Sequence, residues 1–383
     1  MPTISDPRLF PRSYHQARDI FLELTGSIQG PVEASTWEIP SKSDSDLFVD
    51  SVYLPPTREA QRLFVIISGI HGLEGYAGSA IQNLFIREIL PRVDRSQTGF
   101  LIVHSMNPYG YKHHARCTEG HVNLNRNCSA DPAHFQQKNP RSLELSRRFV
   151  PKEAVASEKN KMMGTILERE GHLFFGDIGM DELIKAVGIG QFEDPEGLEF
   201  GGIEPEIQTQ LLMDRLRGII KDYKDVISLD MHTGLGHRGH LHLLTGEVEG
   251  ALDQALFGEL FRPTQDGDIY HFTPWDAEGF YKTSGSTNNL LPELATSGQR
   301  VCALTWEFGT IGHDRASQVD SLNRWLVAHQ GLFYGYQDEG IESLVKALFL
   351  DRFRPDDEKW ARLVLHNAGE CFERILTRCG SLS

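Results

Sequence analysis

The chain contains no apolar run of the roughly 18 residues needed to cross a bilayer, so a membrane-spanning protein is not expected. Its start, Met1-Pro2-Thr3-Ile4-Ser5-Asp6, lacks the basic and apolar regions of a secretory leader, and a cytoplasmic location is the expectation. Cysteine is scarce and scattered: Cys117, Cys128, Cys302, Cys371 and Cys379 form no Cys-x-x-Cys pair. An odd set of this kind fits reduced thiols in a cytosol. Positive charge is in deficit, with 38 Lys and Arg against 53 Asp and Glu and a net charge of -15. That balance argues against nucleic acid or an anionic membrane as partner. No serine lies in Gly-x-Ser-x-Gly, which excludes an α/β-hydrolase elbow. There is no His-Glu-x-x-His, no Walker loop, no internal repeat and no low-complexity segment.

What remains is an ordinary globular composition, 24% charged and 40% hydrophobic over 383 residues. A chain of this length can bury a large core. Its organising stretch is Ser68-Gly69-Ile70-His71-Gly72-Leu73-Glu74-Gly75, which follows the apolar run Leu63-Phe64-Val65-Ile66-Ile67. A short Val/Ile-rich run stopped by glycines reads as a buried strand. His71 and Glu74 therefore lie just past a strand's C-terminal end, where open α/β sheets place their ligand sites. One imidazole and one carboxylate three residues apart can share a metal ion. A catalytic zinc commonly has two His and one carboxylate plus an open position, so a third ligand is required. Read alone, the same residues also describe a polar turn in which His71 caps a helix.

The rest of the chain alternates in the same way. Residues 13–25 read as a helix, and 32–39 and 47–54 as extended segments. A helix over 76–90 and a strand over 100–103 complete a βαβ unit, which implies a parallel sheet. A loop with Arg116, Asn123, Asn125, Arg126 and Asn127 follows. Arginine forks bind carboxylates or oxyanions through paired hydrogen bonds, although a surface loop with salt bridges has the same composition. Residues 130–203 fit the alternation least and read as an insertion or lid. A helix over 207–223 precedes the strand Val226–Met231, which ends in His232. His232 stands to its strand as His71 stands to its own, so the two can meet above the sheet, and His232 supplies the third ligand. Gly234-Leu235-Gly236-His237-Arg238-Gly239 matches a dinucleotide fingerprint, but His240–Leu244 alternates like a strand and opens no helix. The strand Val301–Phe308 carries Glu307, an acid that is costly to bury unless paired or functional. Beside a metal-activated water, a carboxylate that is not a ligand serves as general base. Two helices, 316–332 and 357–378, close the chain.

In order, these pieces resemble the zinc carboxypeptidase superfamily, which also contains the aspartoacylase and succinylglutamate desuccinylase deacylases. The resemblance spans about residues 60–315. It implies an α/β fold with a mixed, largely parallel sheet flanked by helices, as one domain over 1–383 with 130–203 as insertion. It implies one Zn²⁺ per chain on His71, Glu74 and His232, with Glu307 as general base and Arg116 polarising the scissile carbonyl. Asn125-Arg126 is similar to the pair that holds a terminal carboxylate, and Tyr281-Lys282-Thr283-Ser284-Gly285-Ser286 to a mobile-tyrosine segment. Where the peptidases place an Asp two residues before the Asn-Arg pair, this chain has Asn123. Asp230-Met231-His232-Thr233-Gly234 is closer to the deacylase branch. The implied activity is hydrolysis of a small peptide with a free carboxylate, or alternatively deacylation of an N-acyl amino acid. A non-catalytic metal-binding relic is the third reading.

Overall fold

The computed structural model describes residues 6–157, 186–245, 250–273, 283–312 and 314–382. After α1 (Tyr14–Gly26), whose N-terminus is capped by the Ser13 hydroxyl, come β1 (Glu33–Glu38) and β2 (Phe48–Leu54). Then follow β3 (Arg62–Ser68), α2 (Gly75–Leu84), β4 (Thr98–His104), the short α3 (Pro108–His113) and α4 (Pro140–Phe149). The second half holds α5 (Ile207–Ile219), β5 (Asp225–Gly234), β6 (Leu241–Thr245), α6 (Gln254–Leu260), β7 (Tyr270–Thr273) and α7 (Thr287–Leu294). It ends with β8 (Arg300–Gly309), α8 (Arg315–Tyr334), α9 (Glu339–Phe353) and α10 (Glu358–Arg378).

The strands form one eight-stranded sheet in the order β1-β2-β4-β3-β5-β8-β6-β7. Its centre, β4-β3-β5-β8, is parallel, while β1, β2 and β6 pair antiparallel to their inner neighbours. The expected mixed, largely parallel α/β sheet is thus the observed fold. The apolar runs are unbroken because the central strands are covered on both faces. Leu63, Val65 and Ile67 of β3 enter a core with Leu212 and Leu216 of α5 and Leu290 and Leu291 of α7. The alternate residues Phe64 and Ile66 enter a second core with Ala77 and Ile81 of α2 and Val364, Ala368 and Phe372 of α10. Each Leu, Val, Ile or Phe among them contributes about 1.5–3 kcal/mol by leaving water. These cores hold β3, β5 and β8 in register, and it is their C-terminal ends that carry the site.

Chain order reverses at β3, which is followed by β4 on one side and flanked by β5 on the other. That crevice is the topological switch point of the sheet. The β3-α2-β4 unit forms as expected, but α2 ends at Leu84, and the backbone continues through wider and then tighter turns to Arg92. Of the expected 130–203 insertion, residues 158–185 lie outside the described residues. Its described parts pack on α8 through a small core of Leu145, Phe149, Val187 and Leu198 against Leu322 and Leu326. No helix among the described residues is long and apolar enough to cross a membrane.

Candidate metal centre

His71 leaves β3 at the N-cap of a 3-10 turn, Gly72–Glu74, yet its side chain makes no capping bond. Instead its Nδ1 lies 2.8 Å from Glu74 Oε1, and its Nε2 lies 3.1 Å from Asn123 Oδ1. From β5, His232 places Nδ1 2.9 Å from Glu74 Oε2 and Nε2 2.8 Å from Asp230 Oδ2. Among the described residues, His71, Glu74 and His232 are the one group of three whose donor atoms lie within 4.8 Å of one another. All three are buried.

The hydrogen-bond network fixes the tautomers. Asn123 Oδ1 accepts from the Asn125 backbone N–H, and Asn123 Nδ2 donates to Glu199 Oε2 at 2.6 Å. Asn123 therefore presents an acceptor to His71, whose Nε2 carries the hydrogen and whose Nδ1 holds a lone pair. Arg116 Nη1, which can only donate, lies 3.2 Å from that Nδ1. Asp230 likewise takes the Nε2 hydrogen of His232. Two imidazole nitrogens and both oxygens of Glu74 thus converge, and a divalent cation suits that donor set.

The charges of these groups follow from the same contacts. Burial pushes His71 down to about 4, with Arg116 adding to the effect. Burial also opposes charge on His232, but the Asp230 and Glu74 carboxylates override it and hold His232 well above the ordinary range. Glu74 is raised by burial, yet the two imidazoles beside it bring it well below the usual value. Binding of a divalent ion would release the proton held by His232.

Glu307 is the residue of β8 paired in register with His232. It is buried, and its Oε1 accepts from the Leu235 backbone N–H at 2.7 Å. Burial, then the negative charge of Glu74, push it up to about 7, which suits a group that must take and return a proton at neutral pH. A cavity of about 80 Å³ is lined by His71, Glu74, His232 and Glu307, with Arg116, Asn125, Arg126 and Arg352 on its walls.

The structure therefore brings seven of the sequence's candidates to one cavity. Tyr281 lies outside the described residues; Thr283 and Ser286 of the same segment line the cavity. Arg126 is placed differently from a fork open to substrate. It is fully buried and donates to the Gly188 and Asn125 carbonyls, while its Nη2 pairs with Glu199 at 2.9 Å. Asp230 and Glu199 were not singled out from sequence. Asp230 stands in the Asp230-Met231-His232 run and was legible as a partner two residues from His232. Glu199 sits in a Gly/Pro-rich stretch that carries no chemical pattern of its own.

A model for the family described as protein of unknown function (DUF2817) matches residues 10–367. The chain belongs to the DUF2817 family. No curated protein matches this DUF2817 chain. Among solved structures it is similar to the carboxypeptidase A of Helicoverpa armigera, at 14% identity over 89% of this chain and 74% of that one, with a TM-score of 0.47. Bovine thrombin-activatable fibrinolysis inhibitor, solved with tick carboxypeptidase inhibitor, is 14% identical over 90% of this chain and 97% of that one, with a TM-score of 0.46. A Pseudomonas aeruginosa metallo-carboxypeptidase, solved with (2-guanidinoethylmercapto)succinic acid, is 14% identical over 84% and 69%, with a TM-score of 0.42. Overlap this loose carries no functional argument.

The turn that carries His71 and Glu74 depends on one close approach. A Cβ at Gly72 would meet the Gly110 carbonyl carbon at 2.0 Å and the Tyr111 nitrogen at 2.3 Å. These are backbone atoms of α3 and cannot give way as a flexible side chain would. Gly72→Ala is expected to cost at least about 2 kcal/mol, within the usual range for overpacking, and to weaken metal binding as the turn shifts. Denaturant melts of the variant within about 0.5 kcal/mol of wild type would contradict this.

Proposed function

We propose that this protein is a zinc-dependent amide hydrolase of metallocarboxypeptidase type, acting on a small substrate that carries a carboxylate. The observation that carries the reading is the convergence of His71 Nδ1, His232 Nδ1 and Glu74 within 4.8 Å, with the non-ligand carboxylate Glu307 beside them in the same cavity. When bound, zinc supplies Lewis-acid chemistry, making water more acidic and drawing charge from a carbonyl. Glu307 takes a proton from the attacking water and passes it to the leaving nitrogen. Arg116, partly exposed to the cavity, donates to the oxygen that gains charge. Arg352 and Asn125, which also line the cavity, complement a substrate carboxylate and hold the scissile bond in place.

The test is hydrolysis of a panel of short peptides and N-acyl amino acids, each with a free or amidated carboxylate. Turnover is expected to stop when zinc is removed by a chelator and to return with added zinc. Blocking the carboxylate should lower kcat/KM about tenfold or more, the worth of one charge-assisted hydrogen bond. Cleavage of the N-acyl amino acids alone would replace the peptidase reading with a deacylase one. Undiminished turnover after chelation would refute the proposal.

Arg116→Ala should retain zinc and lower kcat by about 10²–10³, as does loss of one oxyanion donor. Loss confined to KM would show that Arg116 only binds substrate.

A further inference from the structure

Glu199 lies outside the ligand set and outside the cavity wall, yet it connects to most of the site. Its side chain is 2% exposed. Oε1 accepts from Arg116 Nε at 3.0 Å. Oε2 faces Arg126 Nη2 at 2.9 Å and accepts from Asn123 Nδ2 at 2.6 Å, with Arg116 Nη2 at 3.4 Å. One carboxylate thus binds two arginines and the amide behind a metal-ligating histidine.

The backbone is arranged to deliver it. Glu199 adopts φ +52, a left-handed conformation that a non-glycine residue holds only when its surroundings over-determine it. Two backbone hydrogen bonds hold it: the Gln191 N–H donates to the Glu199 carbonyl, and the Asn123 N–H donates to the neighbouring Phe200 carbonyl at 2.7 Å. Burial alone would raise the carboxyl, but the Arg116 and Arg126 charges bring it down to about 2, so the group is anionic.

We propose that Glu199 is a positioning residue for the metal centre, acting through Asn123 on His71 and directly on Arg116. A neutral amide orients an imidazole less strongly than a carboxylate does. Here the amide donates to an anion, which polarises it and makes its oxygen a better acceptor for the His71 Nε2 hydrogen. The charge missing at Asn123 is supplied one side chain further back, by the segment that follows residue 185. The same carboxylate fixes two of the three Arg116 nitrogens and leaves Nη1 pointed at the site. Arg126 completes the seat, since its charge keeps Glu199 ionised in a buried setting.

The inference rests on the zinc reading, and its test separates the two. Zinc affinity is measured by competition with a chromophoric chelator, without reference to turnover. If the wild-type chain takes up no zinc, the zinc reading fails and this inference with it. Glu199→Gln places an amide nitrogen against Asn123 Nδ2 or an arginine, and is expected to weaken zinc about 10–100-fold, the usual worth of an outer partner. The double variant Asn123→Asp with Glu199→Gln moves the charge one step toward His71 and lets the new amide donate to it. It is expected to recover most of the affinity, whereas a purely structural ion pair with the arginines would not be restored. Glu199→Gln binding zinc within about twofold of wild type would overturn the proposal while leaving the zinc reading intact. If Glu199→Gln fails to fold, the double variant decides: near-wild-type affinity supports the proposal, and a loss of tenfold or more overturns it.

Discussion

Glu307→Gln is expected to keep its zinc and to lose turnover by roughly 10²–10⁴, the usual worth of a positioned acid–base group. The substitution preserves shape and the hydrogen bond from the Leu235 N–H but removes the basic site. Loss of zinc with activity would make Glu307 a ligand, and turnover within about threefold of wild type with zinc in place would rule it out as base. A second signature belongs to the ion-free protein. Glu307 is raised to about 7 by burial and by the charge of Glu74, from an unfolded value near 4.5. Folding then favours the protonated form, so its contribution to stability is present below about pH 4.5 and is lost as pH rises through about 7. Melting curves of chelated wild type should fall over that window relative to Glu307→Gln, and parallel curves would contradict the assignment.

His71→Ala and His232→Ala are expected to abolish metal binding and turnover together. Each removes one of two imidazole donors, so the loss of affinity should exceed the 10–100-fold that an outer partner is worth. Asp230→Asn belongs in that lower range, because Asp230 orients His232 and accepts from the Thr287 hydroxyl at 2.6 Å without reaching the ligand cluster itself. The histidine variants should therefore lie above that range and Asp230→Asn within it. An Asp230→Asn variant as poor in zinc as His232→Ala would show that the charge balance of the pocket, rather than the donor set, holds the ion.

The central strands were legible because their burial is two-sided. Leu63–Ile67 and Val301–Leu304 have no polar interruption, and a run of that length rich in Val, Ile and Ala admits few other readings. The cluster was legible for a related reason: His71 and His232 follow such runs, Glu307 lies toward the end of another, and a parallel sheet gathers strand ends on one side. What escaped was weaker in pattern or longer in range. The strand β7, Tyr-His-Phe-Thr, is four residues at the sheet edge, too short to show alternation. Helix α7 opens Thr-Asn-Asn and contains Pro292, so turn-forming residues masked it. Helix α9 leaves Leu344 and Leu348 exposed, which blurs its apolar stripe. Glu199 meets Asn123, Arg116 and Arg126 only through the fold, across more than seventy positions, and no local spacing records that contact. The same contact explains Arg126: its side chain type predicted a carboxylate partner, and the partner comes from within the chain.

The central claim is that His71, Glu74 and His232 hold one divalent metal. Elemental analysis of the purified wild-type chain, loaded with zinc and then freed of excess, tests it most directly. The account predicts about one zinc per chain, falling to background in His71→Ala and in His232→Ala while both variants remain folded by circular dichroism. Zinc content unchanged in either folded variant, or absent from the wild type, would contradict it.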